Sequence, residues 1–210
     1  MVVFSHVLQT YHWTQEVLFV WRLHPGATGV SLFFVISGYL ITTLLLRERA
    51  NHGRIGLRGF YFRRFFRIVP AYLAYVGTVA LLALAGLTNV PWADFVRALL
   101  YLTNYVEADW LLLHTWSLSV EEQFYLLFPL LLIFTSRQWV VRILLITLGV
   151  SVAARGLNQL WGLWPINATY SFEGRADQLA FGCLCALFQQ GAKAQLQEQL
   201  VVRSINTVTK

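Results

Sequence analysis

The chain has 210 residues, of which 57% are hydrophobic, 15% aromatic and only 12% charged, with a mean hydropathy of +0.57. An average soluble domain carries roughly 25% charged residues, so this composition excludes a water-soluble enzyme and points to a polytopic membrane protein. The net charge of +6 would suit a nucleic-acid partner, but the basic residues gather at the ends of apolar runs, as membrane topology requires.

In chain order, the opening VVFSHVLQTYHW is an apolar stub without the basic region and cleavage site of a signal peptide, and reads as the outer half of a helix. Gly29 to Leu46 is uncharged and long enough to span, as is Ile68 to Thr88, since a crossing helix needs about 17 to 25 residues. Between them, Arg47 to Arg67 holds seven arginines and is expected to be cytoplasmic. Asp94 to Glu107 is too short to cross and reads as a re-entrant or interfacial helix. Trp116 to Phe134, Trp139 to Ala154 and Ala176 to Gln190 are apolar runs with polar intrusions. The expected architecture is an all-α, polytopic transmembrane bundle of about six membrane segments plus the short helix. One membrane domain covers residues 1–190, and 191–210 form an unassigned polar tail. This count places twelve Lys and Arg inside and four, Arg22, Arg97, Arg155 and Arg175, outside.

The most informative stretch runs from His114 through Pro129, where Glu121 and Glu122 enter an apolar run. A charge in bilayer hydrocarbon costs a few kcal/mol or more, so such an acid is a functional candidate by default. On a helix, Ser117, Glu121 and Tyr125 stand at successive i, i+4 positions and form one polar stripe. Pro129 cannot donate to the carbonyl of Tyr125. Cys183 and Cys185, two apart on a helix, point in nearly opposed directions and suit neither a disulfide nor one metal ion. No metal site is expected. Ser37-Gly38 reads as a helix-packing step with room for an acyl chain or a pantetheine arm.

Taken in order, His6, the Gly29 to Ile41 run, Arg63-Arg-Phe-Phe-Arg-Ile-Val-Pro-Ala-Tyr, the Trp116 to Pro129 run and Gly174-Arg-Ala-Asp-Gln-Leu-Ala-Phe-Gly resemble the acyltransferase-3 family of integral membrane O-acyltransferases. The resemblance covers Val2 to about Leu187. It implies a helical bundle that takes an acyl group, often acetyl, from acyl-CoA and delivers it to a hydroxyl of an extracytoplasmic glycan or lipid-linked sugar. It also implies no permanently bound cofactor, with acyl-CoA as the donor co-substrate. The family pairs its first-helix histidine with an arginine eleven positions earlier, but five residues precede His6. The sequence is therefore expected to be a partial copy of the family pattern, truncated at both ends.

The resemblance gives His6 the role of general base, which an imidazole with a pKa near 6.5 can fill at neutral pH. Glu121 either orients that imidazolium or braces the bundle through Arg175. Glu122, Gln123, Tyr125, Arg175 and Asp177 are candidate substrate-binding residues at the outer side. Arg63, Arg64 and Arg67, at i, i+3 and i, i+4 spacing, are candidate contacts for the CoA phosphates, though positive-inside flanks explain many such clusters. The expected partners are the lipid bilayer, acyl-CoA and a glycan or lipid-linked sugar in a bacterial inner membrane. A transporter using the same acids, or an inert relic, is the competing class.

Overall fold

The structure is a computed structural model that describes residues 25–106, 108–162 and 170–208, with side chains described for 27–106, 108–162 and 170–192. The described residues form helices α1 (Pro25–His52), α2 (Leu57–Leu84), α3 (Trp92–Leu99), α4 (Trp110–Leu113), α5 (Trp116–Phe134), α6 (Arg137–Trp161) and α7 (Phe172–Val208). A 3-10 turn, Thr103–Tyr105, lies between α3 and α4.

Among the described residues, four segments are long and apolar enough to cross a membrane: most of α1, all of α2, α4 with α5, and α6. The all-helical membrane bundle is as expected, and four of the six expected spans are found among the described residues. The opening stub lies outside the described residues. Ala176 to Gln190 lies within α7, which falls short of the apolarity of a lipid-facing span. The reason is its position. α7 packs along both α1 and α6, and its Leu179, Ala180, Cys183, Leu184 and Leu187 are buried in the main core with Phe34, Leu45, Phe124 and Val140. A helix sheathed by other helices needs no apolar residue on every face. α7 also continues through the 190/191 boundary without interruption.

The arginine-rich connection is shorter than the sequence implies. Only residues 53–56 lie between α1 and α2, so Arg58, Arg63, Arg64 and Arg67 occupy the first turns of α2. Gly53, at φ 70°, takes the left-handed conformation that ends α1. Glu48 closes the turn by accepting a bond from the Gly56 amide at 3.2 Å, and its other oxygen is 3.8 Å from Arg63 Nη2. α3 has eight residues, about 12 Å, too short to cross. It joins α2 and α4 in a second core around Tyr72, Val76, Phe95 and Leu112.

Leu32, Phe33, Leu40 and Leu44 on α1, with Leu145 and Ile146 on α6, are exposed and make an apolar sheath. Lipid tails are as apolar as leucine, so the helices are held together by close packing and by bonds across the bundle, each on the order of 0.6 kcal/mol. Gly38 and Gly182 provide the closest approach: a Cβ on Gly38 would stand 2.2 Å from the Leu179 carbonyl oxygen, and one on Gly182 would stand 2.0 Å from that of Val35. Cross-bundle donors include Tyr39 to Gln189 Oε1 at 2.6 Å, Tyr61 to the Leu126 carbonyl at 3.0 Å, Tyr72 to that of Ala98 at 2.9 Å and Arg137 to that of Leu187 at 2.8 Å.

Candidate functional site

The polar stripe of α5 faces into the protein. Glu121 is 3% exposed, and the Tyr125 hydroxyl one turn later donates to its Oε1 at 2.8 Å. Ser37 on α1 lies beside this carboxylate. The Arg64 guanidinium lies flat on the Tyr125 ring, with Cζ 3.4 Å from the centroid. Arg64 and Arg67 are the cations that face Glu121. Glu121 is eleven residues from one end of the apolar span Trp110–Phe134 and thirteen from the other, so the cluster sits near the middle of that span.

This placement corrects the expected partition of charges. The inner arginines and the outer acids do not occupy opposite mouths, because α2 runs antiparallel to α5: Tyr61 meets Leu126 at one end, and Tyr75 donates to the Leu111 carbonyl at 2.5 Å near the other. That pairing brings Arg64 to the level of Tyr125. The cation opposite Glu121 is thus Arg64 and not Arg175.

Arg175 and Asp177 lie together at the start of α7, in a different setting. The Arg155 Nη1 and Nη2 atoms donate to the two Asp177 oxygens at 2.8 and 2.7 Å, a bidentate bond between α6 and α7, and Nη1 also donates to the Gly174 carbonyl. Arg155 thus engages both oxygens of the Asp177 carboxylate. The Arg175 guanidinium lies 5.5 Å from the Trp116 ring centroid, close to Tyr170 and Asp177. His6 lies outside the described residues.

Gln123 is engaged on both sides of its amide. Its Nε2 donates to the Tyr101 carbonyl at 2.8 Å and to Asn104 Oδ1 at 3.0 Å, while its Oε1 accepts from Asn104 Nδ2 at 3.2 Å. With both N–H donors used, Gln123 clamps residues 101–104 onto α5 and has none left for a developing oxyanion. Thr103 adds contacts to Ser119 at 2.9 Å and Thr115 at 3.1 Å. Tyr105 donates to Glu173 at 3.1 Å, and burial, with the Glu173 carboxylate beside it, pushes its phenol up to about 12.

Two cavities flank Arg64. One, of about 510 Å³, is lined by Arg63, Arg64 and Arg67 with Glu48, His52 and Phe60, so the three predicted arginines border one space. The other, of about 550 Å³, runs between α2 and α5 and is lined by Arg58, Arg64, Tyr101, Glu122, Gln123 and Tyr125, with apolar walls.

Sequence reasoning missed Ser37 and Tyr101. Ser37 has no acid or base within two turns of it on α1, and only the fold sets it near Glu121. Tyr101 has φ 54°, an uncommon conformation for a bulky residue, and nothing in the local sequence marks it.

A helical bundle with a paired acid, two hydroxyls and a stacked guanidinium deep inside defines an integral membrane protein with an internal polar site. The acyltransferase domain of the acyltransferase-3 family matches residues 1–208, and the chain belongs to that family. It is 39% identical over 200 residues to O-acetyltransferase OatA of Staphylococcus aureus (strain NCTC 8325 / PS 47), an alignment covering 86% of this chain and 33% of that protein. It is 31% identical over 202 residues to "Putative peptidoglycan O-acetyltransferase YrhL" of Bacillus subtilis (strain 168), covering 85% of this chain and 30% of the relative. The chain thus spans about a third of the length of these curated relatives. No solved structure matches it.

Proposed function

We propose that the chain is the membrane-embedded part of an enzyme that moves an acyl group, in the first instance acetyl, from acyl-CoA to a hydroxyl of an extracytoplasmic glycan. Peptidoglycan, the substrate in the name of the Bacillus relative, is the proposed acceptor, and a bacterial inner membrane the proposed site. The observation that carries this reading is the buried Glu121 carboxylate, held by Tyr125 and faced by Arg64 deep in the bundle. A buried acid with a hydroxyl donor and a facing cation is a preorganised electrostatic site, and in a low-dielectric interior such groups act strongly on developing charge.

In the proposed reaction the acceptor oxygen adds to the thioester carbonyl carbon and its proton passes to the imidazole of His6. The new C–O bond forms, the C–S bond breaks, and the CoA thiolate leaves and takes up a proton. Glu121 stabilises the imidazolium, as the acid of a triad does. Arg63, Arg64 and Arg67 bind the CoA phosphates from the cavity they border, using forked guanidinium groups suited to that geometry. Arg175, beside Trp116 and Tyr170, receives the acceptor. Asp177 contributes by fixing α7 through Arg155.

The test uses membranes containing the chain and acetyl-CoA labelled on the acetyl group, with label in glycan as the readout. Glu121→Gln and His6→Ala are each expected to lower transfer by at least a hundredfold, within the usual range for general acid–base residues. Undiminished transfer in either variant removes that residue from the reaction.

A further inference from the structure

The space of about 550 Å³ between α2 and α5 has one charged end and a long apolar wall. Arg58, in the first turn of the α2 span, borders it at one end. Leu100 and Tyr101 stand at the other, where Tyr101 stacks on Tyr72 at 4.9 Å. Phe62, Phe65, Val69 and Leu126 make the wall between. Phe62, Phe65 and Leu126 are 63%, 52% and 59% exposed, so the slot opens sideways into the bilayer.

The polar groups of the lining are engaged elsewhere or buried out of reach. Arg64 Nε, Glu122 Oε1 and the Tyr101 hydroxyl are buried, the Gln123 amide is spent on Tyr101 and Asn104, and the Tyr125 hydroxyl is spent on Glu121. An occupant made of hydroxyls or amides would lose its water without gaining these partners, so the slot favours hydrocarbon. Arg58 decides the chemistry of the open end. Residues 47–67 hold seven arginines and a single acid, Glu48, which is already engaged by the Gly56 amide and Arg63. Arg58 is exposed and has no hydrogen bond or ion pair among the described residues. A guanidinium at the edge of the hydrocarbon layer is complementary to a lipid phosphate. From Arg58 to Val69 the slot follows eleven residues of α2, about 16 Å. One leaflet of a hydrocarbon core of about 30 Å is about 15 Å deep, so a chain that starts at headgroup level fills the slot and ends near the midplane.

We propose that the slot between α2 and α5 seats one chain of an anionic phospholipid from the leaflet on the arginine side, with the lipid phosphate at Arg58. Phe62, Phe65, Val69 and Leu126 flank the chain. The lipid fills the gap that the Tyr61 and Tyr75 bonds bridge on either side, and its site is independent of the acyl-transfer chemistry.

The experiment is native mass spectrometry of the detergent-purified chain with dioleoyl phosphatidylglycerol, and with dioleoyl phosphatidylcholine as the neutral counterpart with the same chains. The wild type is expected to hold phosphatidylglycerol about fivefold more tightly. Arg58→Gln is expected to weaken phosphatidylglycerol about fivefold, the share of one arginine at an anionic lipid surface, and to leave phosphatidylcholine unchanged. Val69→Phe fills the slot and is expected to weaken both lipids about tenfold, as overpacking of an occupied space implies. Arg47→Gln removes an exposed arginine of α1 that does not line the slot, and is expected to change neither. Equal retention of the two lipids by the wild type overturns the site. So does an equal loss of phosphatidylglycerol in Arg47→Gln and Arg58→Gln, which would make the preference a property of the whole basic surface. Unchanged binding of both lipids in Val69→Phe overturns the seat of the chain, and displacement of phosphatidylglycerol by acetyl-CoA would give the slot to the acyl donor and also overturn it.

Discussion

Gly182→Ala tests the seam on which the internal site depends. The added carbon would stand 2.0 Å from the Val35 carbonyl oxygen and 2.8 Å from the Tyr39 nitrogen, both backbone atoms that cannot rotate aside. Real Cβ contacts are essentially never closer than 3.0 Å, so α1 and α7 must separate by at least 1.0 Å. A gap of that size forfeits a quarter to a half of the dispersion attraction between facing atoms, and overpacking of a core costs about 1–3 kcal/mol. For a chain of this length the apparent midpoint should fall by about 3–10 °C. Gly38→Ala forces the same separation from the other side, its carbon standing 2.2 Å from the Leu179 carbonyl oxygen. One displacement relieves both clashes, so the double variant should cost less than the two singles added, with a coupling of about 1 kcal/mol or more. The assay is thermal unfolding of the purified chain in detergent at one scan rate, with Gly149→Ala, which meets no atom within 4 Å, as the control. A midpoint for Gly182→Ala equal to that control, or strict additivity in the double variant, would refute the close-packed α1/α7 seam.

Gln123→Leu removes the clamp on residues 101–104 and should expose that segment: amide exchange there is expected to accelerate by at least tenfold, at about 1 kcal/mol per lost bond, while α1 and α7 keep their protection. Exchange of residues 101–104 at the wild-type rate would show that other contacts hold them. The Tyr105 phenol titrates at about 12 in the fold against 10.0 when free, so the fold favours its protonated form. Its contribution is complete below pH 10 and lost as pH rises towards 12. Tyr101, raised to about 12 by burial and the Glu122 carboxylate, adds in the same direction. Chemical denaturation between pH 10 and pH 12 should therefore show a shallower fall in stability for the Tyr101→Phe/Tyr105→Phe variant than for the wild type, and equal slopes would contradict the assigned burial.

The sequence made the class of fold legible because membrane helices announce themselves by length and apolarity, and α1, α2, α5 and α6 all do so. It counted Ala176 to Gln190 as a span, but that stretch of α7 packs along α1 and α6 and carries polar residues a lipid-facing span would not. Within the site, Glu121 and Tyr125 were legible as a pair because one helix turn separates them, a distance sequence spacing encodes directly. The pairing of Glu121 with Ser37 and Arg64 was not, since it depends on how far α1 and α2 slide along α5. Residues near in space but 57 to 84 positions apart leave no periodic trace. The same limit hid the backbone of Tyr101, whose left-handed turn is imposed by tertiary contacts and not by a glycine. The expected separation of inner arginines from outer acids failed for a related reason: α2 begins at Leu57, so Arg64 is already two turns along the helix.

A guanidinium lying flat against a phenol is a partition as well as a charge. Arg64 borders both chambers, so its side chain forms part of the wall between the basic space and its neighbour.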